Sequence, residues 1–150
     1  MLNEDYREML HILLKNRVDF LVVGAYAMGV HGYPRATGDL DIWIATSPEN
    51  SENIYQSLKE FGAPLSELRK DTFCEKGIVF QIGIAPRRID IITGIDGVEF
   101  ENACKTKIDI EIEGIAIPVI SKDDLIRNKE ATGREKDMLD ARYLKGTDSR

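Results

Sequence analysis

The stretch Gly32-Tyr33-Pro34-Arg35-Ala36-Thr37-Gly38-Asp39-Leu40-Asp41-Ile42-Trp43-Ile44 decides how this chain is read. Its second half alternates, with Leu40, Ile42 and Ile44 apolar and Asp39, Asp41 and Trp43 between them. Successive strand side chains point to opposite faces, so the pattern predicts a strand with one apolar face and both carboxylates on the other. Such a pair can grip a hard cation, because Mg²⁺ takes oxygen ligands and is usually held by one or two carboxylates plus substrate phosphates. Asp-x-Asp alone says little in a chain with 26 acidic residues. Asp109, Glu111 and Glu113 alternate with Ile108, Ile110 and Ile112 in the same way, and they read as an ordinary half-exposed strand.

The surroundings distinguish Asp39 and Asp41. The loop before them is dense in Gly and Pro and carries Arg35 and Thr37. Further upstream, Phe20-Leu21-Val22-Val23 is a continuous apolar run, as expected of a central strand covered on both faces, and it ends at Gly24. A short helix over 25–31 follows directly, and the free N–H groups of a helix start after a glycine suit a phosphate. Downstream, Asp90 lies in Ile89-Asp90-Ile91-Ile92, where an unpaired charge is costly and a metal or a partner would relieve it. Arg87 and Arg88 are the competing explanation, as ion-pair partners of Asp90.

Other elements follow from spacing. Tyr6, Met9, Leu10, Leu13 and Leu14 mark the buried face of a first helix. Ser47 and Pro48 read as the cap and first residue of another, with Ile54, Tyr55, Leu58 and Phe61 inward and Gly62 as its stop. Ile78, Phe80, Ile82 and Ile84 alternate as a strand, and Ile89 and Ile91 oppose Arg88 and Asp90 on the next. A hairpin is expected near 107–120 with its turn at Glu113-Gly114. Two helices, about 121–132 and 135–145, close the chain, the first with Ser121 and Asp124 as a variant capping box. Several strand connections are too short for parallel crossovers. The expected fold is α+β, a mixed and largely antiparallel sheet with helices packed on it, as one domain over 1–150.

Bulk properties narrow the function. At 43% apolar and 31% charged, the composition is that of a soluble globular protein. The longest apolar stretch, between Asp19 and His31, is too short for a bilayer helix and broken by Gly24 and Gly29, so no membrane association is expected. The acidic opening Met1-Leu2-Asn3-Glu4-Asp5 lacks the basic start of a secretory signal, and a cytoplasmic setting is the expectation. A net charge of −6 argues against general nucleic-acid affinity while leaving room for a local basic patch. Cys74 and Cys104 fit neither a zinc pattern nor a disulfide framework. His31 reads as structural rather than catalytic and His11 as a surface or boundary residue, while Trp43 could stack on a base or, the favoured reading, cover the sheet.

The order strand, Gly24, short helix, Asp39-Leu40-Asp41 and a lone Asp90 in a later strand resembles the nucleotidyltransferase superfamily that includes DNA polymerase beta. Val23-Gly24-Ala25, the stretch from Gly32 to Asp41, and Lys129 with Arg134, Lys136 and Asp137 look closest to small bacterial AbiEii/AbiGii-type toxin nucleotidyltransferases. This resemblance spans about residues 18–145. It implies that Asp39 and Asp41 hold two Mg²⁺ ions, with Asp90 sharing the metal that activates the acceptor and serving as candidate general base. The reaction it implies is attack of a hydroxyl on the α-phosphate of a nucleoside triphosphate, releasing pyrophosphate. The acceptor would be an RNA 3′ end, a protein or a small molecule, and an antitoxin or second subunit is an expected partner.

Gly24 and Ala25 would let the backbone approach the triphosphate, with Arg35 and Thr37 steadying it or the loop. Lys129 has two readings: contact with a phosphate or base, or snorkelling and pairing with Asp137. Ala25 departs from the family's usual Ser or Gly, which removes a hydroxyl that would touch the triphosphate. A nucleotide-binding module without turnover is therefore the alternative, and a structural protein with ordinary surface aspartates the third possibility.

Overall fold

In the computed structural model, residues 2–33 and 38–146 are described. Helix α1 (Glu4–Lys15) is capped by Asn3, whose side chain accepts from the Tyr6 N–H. Its buried arc runs from Ile12 through Met9, Leu13 and Tyr6 to Leu10. Leu14, expected inside, is 38% exposed. At about 100° per residue it stands about 40° beyond Leu10, past the edge of that arc. Strand β1 (Phe20–Val23) is buried along its whole length, and α2 (Gly24–Val30) begins at the next residue.

Strand β2 (Asp39–Ile44) leads to α3 (Pro48–Phe61). The Ser47 side chain accepts from the Asn50 N–H, and Gly62 ends the helix with φ +92°, a left-handed conformation that glycine adopts without steric cost. Asn50 is buried, yet its amide bonds the Asp19 N–H and the Asp19 and Ala45 carbonyls, tying α3 to the ends of β1 and β2. β3 (Val79–Ile82) and β4 (Arg88–Ile92) come next. The expected alternation through Ile84 stops at Ile82. Gly83 turns the chain with φ +75°, and Ile84 is 80% exposed.

Helix α4 (Phe100–Thr106) has no counterpart in the sequence reading, since its two turns carry too few apolar residues to make a visible period. Its Phe100 packs edge-on to Trp43 at 5.0 Å and buries the indole, which therefore covers the sheet. The hairpin of β5 (Ile108–Ile112) and β6 (Ile115–Val119) turns where expected, with Glu113 and Gly114 both at positive φ. Helices α5 (Lys122–Thr132) and α6 (Glu135–Gly146) pack on each other. Ser121 caps α5 by accepting from the Asp124 N–H.

Among the described residues the sheet has six strands in the order β3-β4-β2-β1-β6-β5. Three neighbouring pairs are antiparallel, while β2–β4 and β1–β6 are parallel. This is the mixed α+β architecture expected. None of the described helices is long and apolar enough to cross a membrane.

Candidate active site

The register of two strands builds the site. β2 and β4 run parallel with Asp39 opposite Arg88 and Asp41 opposite Asp90. Neighbouring residues in register share a face. Four ionisable side chains therefore emerge together from strands about 50 positions apart in the sequence. On the other side of β2, Val23 at the end of β1 pairs with Asp41, which brings Gly24 against the same carboxylate. One carboxylate oxygen from each of Asp39, Asp41 and Asp90 lies within 4.8 Å of the others, close enough to share a cation.

Gly24 has φ +71°, and a Cβ built there would stand 2.1 Å from Asp41 Oδ2. Only glycine leaves the Asp41 carboxylate its place.

Arg88 partly balances the cluster. Its Nη2 donates to Asp39 Oδ2 at 3.1 Å and to Asp90 Oδ2 at 3.2 Å, bridging the two strands. Its Nε lies 3.1 Å from Asp90 Oδ1, but the angle makes this an ion pair without a hydrogen bond, and both atoms are buried. The charge of Asp90, more than Asp39, holds Arg88 even more firmly protonated than usual, against the cost of burial. Arg87, the other cation considered for Asp90, turns away to Asp5 at 3.4 Å.

Asp41 carries the strain. Burial, then the charge and hydrogen bond of Asp39, then Asp90, push its carboxyl up to about 8. The folded state thus keeps a proton on Asp41 up to about pH 8, whereas a free carboxyl releases it near 3.8. Between these values the native state binds more protons than the unfolded chain, so stability falls as pH rises and is lowest above about pH 8. Urea melts in EDTA at pH 5, 7 and 9 should show that order. A cation must displace the same proton, so apparent Mg²⁺ affinity should climb about tenfold per pH unit below pH 8, read by calorimetry.

A cation fits these residues on their chemistry. The donors are all hard oxygens, Asp90 Oδ1 is buried without a hydrogen bond, and Gly24 leaves Asp41 room to point into the cluster.

The cluster opens into a cleft of about 530 Å³ whose lining also includes Gly24, Lys129 and Thr132 of α5, Arg134 between the two C-terminal helices, and Asp137 of α6. Lys129, only 12% exposed, pairs with Asp137 at 3.3 Å and with Asp140 at 3.4 Å. The pairing alternative therefore describes its contacts, while its position still faces the cleft. Burial alone would raise Asp137, but the Thr132 hydroxyl, the charge of Lys129 and hydrogen bonds from Arg134 and Lys129 outweigh it and hold that carboxyl below its usual range. Ala25 is half-buried in α2, one residue beyond Gly24. Arg35 and Thr37 fall outside the described residues. His31 bonds the Ile120 carbonyl at 2.7 Å, a structural contact.

Thr132 and Asp140 escaped the sequence reading. Their signals, a hydroxyl three residues after Lys129 and an acid three after Asp137, are common on helix surfaces and gain meaning only once α5 and α6 face each other.

No family model and no curated relative matches the chain. Solved structures do. A candidate nucleotidyltransferase from Thermotoga maritima is 18% identical, with 98% of this chain and 96% of that one covered and a TM-score of 0.66. The lincosamide antibiotic adenylyltransferase LnuA with lincomycin bound is 16% identical, with 97% of each chain covered and a TM-score of 0.59. ANT(2″)-Ia in complex with adenylyl-2″-tobramycin is 14% identical, with 95% of this chain and 86% of that one covered and a TM-score of 0.60. At these identities the likeness establishes the fold. The chain has the nucleotidyltransferase fold, with a three-aspartate cluster in its cleft.

Proposed function

We propose that the protein is a metal-dependent nucleotidyltransferase that moves a nucleoside monophosphate from a nucleoside triphosphate to a hydroxyl, releasing pyrophosphate. The observation that carries this reading is the convergence of Asp39, Asp41 and Asp90 within 4.8 Å, beside Gly24 and open to the cleft. These aspartates would hold two Mg²⁺ ions, which when bound neutralise the triphosphate and acidify the acceptor hydroxyl. Asp90 would take the hydroxyl proton as the candidate general base. Gly24 would let the backbone approach the phosphates, and Lys129, which lines the cleft from α5, would contact a phosphate or base. Arg35 and Thr37, in the sequence just before Asp39, are proposed to steady the triphosphate or their own segment.

The antibiotics in two of the similar structures support a small-molecule hydroxyl as acceptor. The Gly32–Asp41 resemblance to toxin nucleotidyltransferases supports an RNA 3′ end or a protein hydroxyl, with an antitoxin as partner. A cytoplasmic setting suits both, since nucleoside triphosphates are supplied there, and the free thiols of Cys74 and Cys104 agree with it.

The test supplies α-labelled nucleoside triphosphates and Mg²⁺ with aminoglycosides, lincosamides, total RNA and cell protein in separate reactions. Label is expected on one of these acceptors, with pyrophosphate released and transfer abolished by EDTA. Mg²⁺-dependent triphosphate binding without transfer to any acceptor would favour the non-catalytic module that Ala25 suggests.

A further inference from the structure

The three carboxylates are held close by strand register, and register does not depend on what neutralises them. Yet the cluster already has a cation of its own. Arg88 reaches Asp39 on β2 and Asp90 on β4 with one nitrogen, at 3.1 and 3.2 Å. Those oxygens belong to the residues that would ligate a metal, so a guanidinium and a divalent cation compete for them. Like charges that close repel.

We infer that Arg88 is the resident counter-cation of the metal-free cluster and releases Asp39 and Asp90 when a divalent cation binds. This rests on the metal-binding reading of the site. Two features make release feasible. The Arg88 side chain is 37% exposed although its Nε is buried, so part of it already meets solvent, whereas Asp90 is 9% exposed. The Nε–Oδ1 approach also forms no hydrogen bond, so the hold is incomplete. Arg88 is then a positioning residue, one that keeps the cluster neutral enough to fold and sets how readily it fills.

Titration of the full-length protein with Mn²⁺ alone, without nucleotide, tests this by electron paramagnetic resonance of free Mn²⁺. Arg88→Gln should bind at least about tenfold more tightly than the parent, because a nearby positive charge is gone while the strands still hold the carboxylates together. Arg88→Lys keeps the charge but not the planar fork and should bind about threefold more tightly. Arg87→Gln, which loses a charge paired to Asp5, should bind like the parent. In EDTA, Arg88→Gln should melt below the parent and gain more from added Mg²⁺.

Unchanged or weaker Mn²⁺ binding by Arg88→Gln overturns the inference and leaves the proposed function standing, since Arg88 would then be holding the carboxylates in place for the metal. Should Arg88→Gln not fold, Arg88→Lys decides the question by the same criterion. If neither the parent nor the variants bind Mn²⁺, the metal reading fails and takes this inference with it.

Discussion

Asp41→Asn is expected to lower nucleotidyl transfer on the order of 10³-fold or more while making the metal-free protein more stable. The first effect follows from losing one of the three proposed metal ligands: metal stabilisation of transition-state charge is worth several kcal/mol, and each 1.36 kcal/mol is tenfold in rate. The second follows from the electrostatics of the cluster. Asp41 is the carboxyl pushed up to about 8 by burial and by Asp39 and Asp90, so its ionised form opposes folding. A neutral amide of the same shape removes that opposition, and stability at pH 8 should rise by roughly 1–3 kcal/mol. The fall in stability between pH 5 and 9 should flatten with it. Single-turnover transfer assays and urea melts measure the two effects on the same sample. A variant that loses transfer because it misfolds would be less stable. Asp41→Asn that transfers as well as the parent would instead remove Asp41 from the site.

Gly24→Ala is the second large effect. The added Cβ would meet Asp41 Oδ2 at 2.1 Å, and the residue would have to hold φ +71°. The backbone part alone costs about 1–2 kcal/mol. The carboxylate must move aside, and a displacement of about 1 Å can cost about 100-fold in rate. Transfer should therefore drop by two orders of magnitude or more, with weaker Mn²⁺ binding alongside. Gly62→Ala is the control. Gly62 has φ +92° at the end of α3, and a Cβ added there would meet nothing within 4 Å, so this variant should lose similar stability and keep transfer.

The two substitutions act on one oxygen-rich point from opposite sides. Asp41→Asn leaves the space and removes the charge; Gly24→Ala keeps the charge and removes the space. If the site works as proposed, both lose transfer while their stabilities move in opposite directions, a pattern that general damage to the fold does not produce.

Much of this was legible in one dimension. Alternation at 39–44 placed Asp39 and Asp41 on one face of a strand, because the side-chain period of a strand is fixed by its backbone. The caps at Ser47, Gly62 and Ser121 and the turn at Glu113-Gly114 were legible because each rests on local backbone geometry. Leu14 and Ile84 were misplaced for the converse reason. Whether a residue at the edge of a pattern is buried depends on what arrives from elsewhere, and near these two nothing covers them enough to hide them.

The sequence alone, then, determined which residues are acidic, which face of β2 they share, and that Gly24 ends a buried strand. Only the tertiary structure decided that Asp90 stands opposite Asp41, that Arg88 and not Arg87 bridges the carboxylates, and that Lys129 faces the cleft already paired. The reason is physical. Periodicity is a property of neighbouring residues, whereas the pairing of β2 with β4 is chosen by how the whole sheet and its helices pack, and charges far apart in the chain gain partners only after that choice is made.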